Sequence, residues 1–522
     1  MKREDLFEAI GSADDELLMR SDTPVVQKKM TTRRTKNAPR RGIALAACFC
    51  LVCGSLFGLF RLGLFEGSGS GGSGHDKGST TFMSYAGPVF PLTTAEPTNE
   101  LHADRAITMD FEPWIDAPND IRVIDNYVLT NTSSEDQTVD LLYPFVANLI
   151  YLGQNLPQLT VDGAEIPFAP SNLVFGEFSG GFVPAYGSPD DSELMNLESP
   201  NSWEAYKSLL SDGRYLVHAL DGFDYPQLNE TVVVYRFTDE YAPKSTDSMP
   251  NPTVRAIFTM DYDKTKILTY GFNQGLYDQE NKIRGIGYSL QQPDARQKDW
   301  PTFIAILGED IGDIALSYYV TGGWDTKETL DDGSAGVTVT RQEMLLGDIL
   351  LEAAKASWTT FQDNMDTSYS IYGESPLTFE QYYGLYCDYL FDYVLSEAIA
   401  RYDSGSLQEL DVESASRVCY LKHEITIPAG GSIELSFDMT KEASFDYTCA
   451  HTENRGIAGY DVTTKLGSTL SIRKATATLL DRGLIEITNQ NFGFNLDTGL
   501  TTVPIDDEEH YYLEVRKKCV EE

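Results

Sequence analysis

The chain has 522 residues, a formal net charge of −39 at pH 7 and 42% hydrophobic residues. Its length is sufficient for two or three folded units with real cores. A chain this acidic is unsuited to binding nucleic acid, because contacts with phosphate need a basic surface. We therefore expect no nucleic-acid partner.

The N-terminal tail, residues 1–41, opens with the segment REDLFEAI at 3–10. On a helix, this segment would place Leu6, Phe7 and Ile10 on one face. Such a short helix is unstable in isolation, so a partner would have to supply the ordering energy. The tail is predicted either to dock on a cytoplasmic protein through these three side chains or to remain a free end.

Residues 42–65 form an apolar segment that is predicted to be a transmembrane helix. Their sequence is GIALAACFCLVCGSLFGLFRLGLF, in which Arg61 is the single charge, and about 20 residues of helix cross a bilayer. Basic residues remain on the cytoplasmic side, which predicts that the N-terminus is inside and that residues 66–522 are outside. The basic residues that precede the segment are Lys28, Lys29, Arg33, Arg34, Lys36, Arg40 and Arg41.

Two other interpretations of this segment do not fit its surroundings. A cleaved signal peptide has a short charged start and a cleavage site of small residues, whereas here residues 1–41 precede the segment and a Gly/Ser linker follows it. Cys48 ends a lipoprotein-like tetrapeptide, but only about 5 apolar residues precede it, where a signal sequence needs roughly 7–15. An uncleaved membrane anchor is the remaining prediction.

The opening of the chain carries a resemblance. MKREDLFEAIGSADDELLMRSD, followed by a basic stretch and GIALAACFCLVCG, resembles the start of single-pass membrane proteins of clostridia-like Firmicutes. Some of these proteins are similar to anti-sigma factors, although the zinc-type pattern HxxxCxxC is absent here. The resemblance covers about the first 60 residues and implies a cytoplasmic partner such as a sigma factor.

The residues beyond the membrane segment carry a strongly negative charge and a β-strand pattern. They contain 29 basic and 71 acidic residues, or −42, once residues 1–41, Arg61 and Glu66 are set aside. A Gly/Ser linker at 66–81 is predicted to be flexible. Short alternating segments with turn signals then predict a β-rich extracellular domain over 82–340.

Two β-hairpins are predicted in the first part of this domain. IRVIDNYVLTN and QTVDLLYPF, joined by TSSED, suggest a hairpin over 121–145. LPQLTVDGAEIPF suggests a second over 156–168, with its turn at Asp162 and Gly163. A short helix is expected at 202–213, which starts at the N-cap residue Ser202.

The hydrophobic period changes near the middle of the chain. Capping-box patterns at Thr340–Glu343 and Thr378–Gln381 predict the starts of two helices, which gives a helical insertion over 341–403. Alternating segments return in a C-terminal β-rich region over 412–522. The predicted fold is therefore mainly β, with antiparallel sandwich-like units and an inserted helical hairpin.

The second predicted helix is the most distinctive feature of the outer part. An aromatic face with helical spacing is expected to pack on a sheet; its members are Phe379, Tyr383, Tyr386, Leu390 and Tyr393. Tyr382 and Tyr389 lie on a neighbouring face. They are the candidates for an exposed aromatic platform that binds a peptide or glycan.

Motifs for catalysis and metal binding are missing from the sequence. It contains no GxSxG, HExxH, Walker or DxDxDG pattern, and we expect neither a metal nor another cofactor. Adjacent acids are expected to be solvated turns, with loose calcium binding as the alternative; they occur at Asp190–Asp191, Asp331–Asp332 and 506–509. Cys449 and His451, two residues apart, are expected to be an ordinary loop pair, with a Cys/His dyad as the alternative.

Four cysteines lie beyond the apolar segment and allow three full pairings, among which the sequence cannot choose. They are Cys387, Cys419, Cys449 and Cys519. So few cysteines in so long a chain do not indicate a disulfide scaffold.

These observations predict a non-enzymatic, single-pass bacterial cell-surface protein. The leading function is envelope sensing or regulation, in which the outer domain meets an unknown ligand and the inner tail meets a cytoplasmic partner. A surface adhesion or structural module is the alternative from another class. An extracellular hydrolase of unrecognised type is the third.

Overall fold

The computed structural model confirms the mainly β fold class, with 48% strand and 16% helix. The residues it describes are 86–116, 119–176, 203–204, 207, 225–291, 300–369, 373–394, 406–410, 412–446, 454–464, 468–505 and 510–518. Among them, no helix is both long and apolar enough to cross a membrane. The segment 42–65 and the tail residues Leu6, Phe7 and Ile10 lie outside this set, as does nearly all of the helix expected at 202–213.

The largest sheet has seven strands in the order β22-β20-β2-β3-β17-β5-β6 and is called the long sheet below. Its strands are β2 Leu101–Asp110, β3 Asp120–Asn131, β5 Gln158–Val161, β6 Ala164–Ile166, β17 Ser432–Glu442, β20 Ser471–Leu480 and β22 Thr502–Pro504. β2 and β20 pair in parallel, and the other neighbours are antiparallel. Residues of β3 alternate between buried and more exposed positions, as expected for a sheet with one face on a core.

A four-stranded sheet in the order β1-β4-β16-β7, the facing sheet, packs on the long sheet. Its strands are β1 Thr93–Thr94, β4 Gln137–Ala147, β7 Leu173–Phe175 and β16 Arg417–Ile427. Tyr143 of β4 stacks on Phe437 of β17 with ring centroids 4.0 Å apart. This contact joins the two sheets into a β-sandwich.

One of the two predicted hairpins is confirmed and the other is wrong. β5 and β6 pair as a hairpin, and Asp162 and Gly163 both have positive φ, at 48° and 78°, as a type I′ turn requires. The strands of the predicted hairpin over 121–145 do form, but β3 belongs to the long sheet and β4 to the facing sheet. The chain crosses between the layers at this turn, and each strand pairs over eleven residues with a strand from the C-terminal region, β17 or β16, in its own sheet.

A third sheet, in the order β18-β19-β23-β21, completes the main body. Its strands are β18 Phe445–Asp446, β19 Ile457–Thr463, β21 Ile485–Gln490 and β23 His510–Lys517. Tyr460 of β19 packs edge-on against Phe111, and its hydroxyl accepts a hydrogen bond from Trp114 Nε1 at 3.0 Å. These contacts attach the third sheet to the same apolar core.

A second β-sandwich is inserted in the chain between β7 and β16. It consists of an inner sheet, β10-β13-β8-β15, and an outer sheet, β11-β12-β9-β14. The strands are β8 Thr231–Tyr241, β9 Thr253–Thr259, β10 Thr265–Tyr270, β11 Gln274–Asp278, β12 Ile283–Ser289, β13 Phe303–Gly308, β14 Ala315–Tyr319 and β15 Gly336–Leu345. Phe237, Phe272 and Tyr288 meet edge to face in its separate core.

The other face of the inner sheet joins the main core and meets the helices. These are α1 Leu346–Thr367 and α2 Phe379–Asp388, which a π-helical turn, Tyr389–Val394, extends. Shorter helical turns lie at Glu112–Ile115, Leu152–Asn155, Pro170–Asn172, Pro226–Asn229 and Leu407–Glu409. Strands from 82–340 and from 412–522 share both the long and the facing sheets, so the described part does not divide at the helices.

One of the two predicted capping boxes is correct. Thr378 Oγ1 accepts the backbone N–H of Gln381 at 3.2 Å, and Gln381 Oε1 accepts the backbone N–H of Thr378 at 3.0 Å. The box predicted at Thr340–Glu343 is wrong, because these residues lie in β15, where they pair with β8. The first helix begins only at Leu346 and has no side-chain cap.

Candidate functional site

The predicted aromatic platform on α2 is not exposed as expected. Tyr382 is fully buried against Trp358 and Phe361, and its hydroxyl donates a hydrogen bond to Glu413. Tyr389 is half-buried. The helix is rotated relative to the prediction, which placed Tyr382 on an outward face. Its ring instead packs between α1 and the core, so Tyr382 cannot stack on a ligand here.

Other residues singled out in the sequence carry no chemistry in this structure. Asp331 and Asp332 are exposed turn residues. Cys387 and Cys419 are buried free thiols, and burial raises the pKa of each to about 12, which leaves them protonated and unreactive. The pair Cys449 and His451 lies outside the described residues, with Cys519, Asp190–Asp191 and 506–509.

The first arrangement that resembles a catalytic site is a buried polar cluster of residues from β17, β19 and β23 together with Ser444, which follows β17. Ser444 lies within hydrogen-bond distance of Asp461 Oδ1, and His510 Nε2 is 2.7 Å from Asp461 Oδ2. Lys441 Nζ is 3.4 Å from Ser444 Oγ. Burial lowers the pKa of Lys441 to about 8, so serine and lysine resemble a nucleophile and its base.

The hydrogen bonds of this cluster are turned inward rather than toward a substrate. Lys441 Nζ donates to the carbonyl oxygens of Gly87 and Glu442 at 2.7 and 3.2 Å, as well as to Ser444. The three N–H groups of the ammonium are therefore occupied. The cavity beside Lys441 holds only about 40 Å³, little more than a water molecule needs, and we assign the cluster a structural role.

A second buried cluster, around Arg105, contacts Phe90, which lies three residues after Gly87. Arg105 donates to both carboxylate oxygens of Asp125, at 2.9 and 2.7 Å, and to the carbonyl oxygen of Phe90 at 2.9 Å. The hydroxyls of Tyr127 and Tyr143 donate to the same carboxylate at 2.9 and 3.1 Å. With every ionised group paired inside the core, this cluster also fixes the fold.

A cavity of about 200 Å³ at the open edge of the main sandwich is the better candidate for a binding site. We call it the edge pocket. It lies between β5 and β6 of the long sheet and β16 of the facing sheet. Its walls are mainly apolar, and its principal apolar side chains are Leu156, Pro157, Leu159, Ile166, Phe168 and Leu421. Pockets with apolar walls and a few polar groups are typical of ligand sites.

One ionisable side chain of the core-facing rows borders this cavity without a protein partner. His423 lies in the core-facing row of β16 and lines the cavity. Glu165 is also a lining residue, but its neighbour Ile166 pairs with the buried Leu159 on the core face, so the side chain of Glu165 is on the outer face of the long sheet. No hydrogen bond or ion pair joins the His423 side chain to another residue in the described ranges. His423 is therefore available to a ligand, in contrast to the closed clusters at Lys441 and Arg105.

His423 was missed by the sequence reasoning, although β16 contains a signal for it. The buried residues Cys419, Leu421, Ile425 and Ile427 alternate along this strand, and His423 occupies the position in the middle of their row. Residues two apart point to the same face of a sheet. An ionisable side chain in an otherwise apolar row would have marked this position for attention.

Comparisons with known proteins identify no relative of this chain. No family model matches the chain, and no curated protein or solved structure is significantly similar to it. Within the described ranges, no three His, Cys, Asp or Glu side chains are grouped so that they could hold a metal ion.

Proposed function

We propose that this chain is a single-pass cell-surface protein that senses or regulates envelope events through its extracellular β-rich domain. The apolar segment 42–65 anchors it, with the N-terminus inside and the described β domain outside. Ligand binding takes place outside, and the tail 1–41 contacts a cytoplasmic protein. The resemblance of the first 60 residues to anti-sigma-like proteins favours a sigma factor as that partner.

The observation that supports binding over catalysis is the contrast between the edge pocket and the buried clusters. His423 borders an accessible apolar cavity, and its side chain makes no hydrogen bond or ion pair to another described residue. Ser444 and Lys441 are the pair most similar to a catalytic dyad. Ser444 hydrogen-bonds to Asp461, and Lys441 donates to backbone carbonyls. A hydrolase would need the reverse arrangement, with its nucleophile open to a substrate.

The tail carries the regulatory half of the proposal and is tested directly in living cells. A photo-crosslinking residue replaces Ile10, the full-length protein is expressed in its host, and crosslinked products are identified by mass spectrometry. A discrete cytoplasmic partner is expected, and the change Phe7→Asp should remove it. The control Thr31→Asp and Thr32→Asp adds charge to the same tail and should leave capture intact.

Topology is tested in the same cells. Protease added from outside should digest the β domain and spare an epitope at residue 1. A discrete partner that survives Phe7→Asp, or no crosslinked partner at all, would contradict regulation through the tail. The protein would then be better explained as a surface adhesion or structural module whose tail only anchors it.

A further inference from the structure

We infer that two copies of this chain associate by pairing their β15 strands antiparallel, which joins the two inner sheets into one continuous sheet. This contact goes beyond the proposed function and does not depend on it. β15 is the outermost strand of the inner sheet, where it pairs with β8. An outermost strand presents a row of backbone groups that can pair with a further strand.

β15 is the longest outermost strand among the sheets that the structure describes. It has ten residues, whereas the other outermost strands have two to six. From Thr338 to Leu345 its pairing with β8 runs without a register shift, and this stretch contains neither proline nor lysine. Sheets commonly protect an exposed edge by keeping it short or by placing a bulge, proline or lysine in it. The stretch 338–345 shows none of these features, as expected for an edge that another strand covers.

The backbone of β15 leaves donors and acceptors on its outer side. The N–H of Leu346 donates to the carbonyl oxygen of Glu230 at 2.8 Å, at the end of the ladder with β8. Alternate residues of an antiparallel pair exchange hydrogen bonds, so the even-numbered residues of β15 bond to β8. The N–H and C=O groups of Val339, Arg341 and Glu343 therefore point away from β8. No hydrogen bond joins these groups to another described residue.

The sequence of β15 is complementary to itself in one register. A two-fold axis at Gln342 places Arg341 opposite Glu343 of the second copy, twice, and Val339 opposite Leu345. Opposite charges and apolar pairs in these positions stabilise neighbouring strands. An axis at position 341 or 343 would instead oppose two arginines or two glutamates, which is destabilising. An axis at 340 or 344 would form no ion pair.

The side chains that this register pairs are accessible. Leu345 is 43% exposed, although it is a large apolar residue, and the side chains of Arg341 and Glu343 are 46% and 65% exposed. Arg341 already donates to Asp310 through Nε at 2.9 Å, and its Nη2 lies 2.8 Å from the same carboxylate. Its Nη1 is 3.9 Å from Glu343 Oε1 of its own chain. Nη1 therefore remains open to a carboxylate of the second copy.

The test uses the purified full chain in detergent, with one cysteine added at a time. Gln342→Cys should form a covalent dimer on mild oxidation, because directly opposite Cα atoms of a non-hydrogen-bonded pair lie about 4.5 Å apart, within the range of a disulfide. Thr340→Cys is the matched control. In this register its two copies are offset along the strands by roughly 13 Å, so it should not crosslink above the wild type, whose own cysteines set the background.

An exchange of charges tests the register independently. In chains that carry Gln342→Cys, Arg341→Glu or Glu343→Arg should each lower crosslinking at least about fivefold, because each places like charges opposite one another. A mixture of the two chains should restore crosslinking, since every arginine of one chain then faces a glutamate of the other.

Three results would each overturn the inference. These are crosslinking of Gln342→Cys no stronger than that of the wild type, equal crosslinking of Gln342→Cys and Thr340→Cys, and a mixture of the charge variants that crosslinks no better than either chain alone. Recovery in the mixture also shows that both charge variants are folded, because an unfolded chain could not form the paired edge.

Discussion

Lys441 Nζ lies 2.7 Å from the carbonyl oxygen of Gly87, although the two residues are 354 positions apart in sequence. The same stretch of backbone is held by Ser444, whose carbonyl oxygen accepts from the N–H of Ala86 at 2.9 Å, and by Arg105 through Phe90. Two buried cations thus hold residues 86–90 against the main sandwich. Because burial lowers the pKa of one of them, Lys441, this arrangement makes the stability sensitive to pH.

The first prediction concerns the pH dependence that Lys441 confers. Its pKa is lowered from 10.5 to about 8 in the folded protein, so between these values the unfolded chain holds a proton that the folded one has released. The free energy of unfolding should therefore rise with pH in this window, by up to about 3 kcal/mol. Urea denaturation of the wild type and of Lys441→Met is compared at pH 7 and pH 10. The free energy of unfolding should increase from pH 7 to pH 10 only in the wild type. Parallel pH curves for the two proteins would contradict it.

The second prediction concerns the buried pair Arg105–Asp125, whose side chains are both inaccessible to solvent. Asp125→Asn should lower the free energy of unfolding by about 3–5 kcal/mol, because it leaves the guanidinium charged and unpaired in the core. Asp438→Asn is the control, since Asp438 pairs with Arg122 at the surface and should cost at most about 1 kcal/mol. Similar losses for the two variants in chemical denaturation would count against the assigned role of Arg105.

The third prediction tests whether the aromatic helix serves the core or a ligand. Tyr382→Ala should destabilise the protein by about 3–5 kcal/mol, because it empties a buried ring position. Tyr382→Phe should cost about 1 kcal/mol through the lost hydrogen bond to Glu413. Tyr389→Ala, at a half-buried position, should cost clearly less than Tyr382→Ala. Thermal denaturation in which Tyr382→Ala is neutral would restore the platform interpretation.

The fourth prediction compares the two capping patterns. Thr378→Ala removes the acceptor for the Gln381 N–H and should cost about 1 kcal/mol. Thr340 lies at an exposed strand position. Thr340→Ala should therefore change the free energy of unfolding by less than about 0.5 kcal/mol. Equal effects in urea denaturation would mean that Thr340 acts as a helix cap after all.

Features set by neighbouring residues could be read from the sequence. The β5–β6 hairpin depends on Asp162 and Gly163, which can both adopt positive φ, and the start of α2 depends on Thr378 and Gln381, three residues apart. The mainly β class follows from alternation along each strand. In these cases the stabilising contacts form within a few residues, so local pattern and final structure agree.

Tertiary structure decided what depends on distant partners. β3 and β4 are joined by a short turn, yet β3 pairs with β17 and β4 with β16, each over eleven residues. These partners lie some 300 residues away along the chain, so no local pattern reveals them. The same competition placed Thr340 in a strand beside β8 rather than at a helix start. His423 and Ile166 line one cavity only because the long and facing sheets pack together there, and no spacing in the sequence encodes which edges of two sheets will meet.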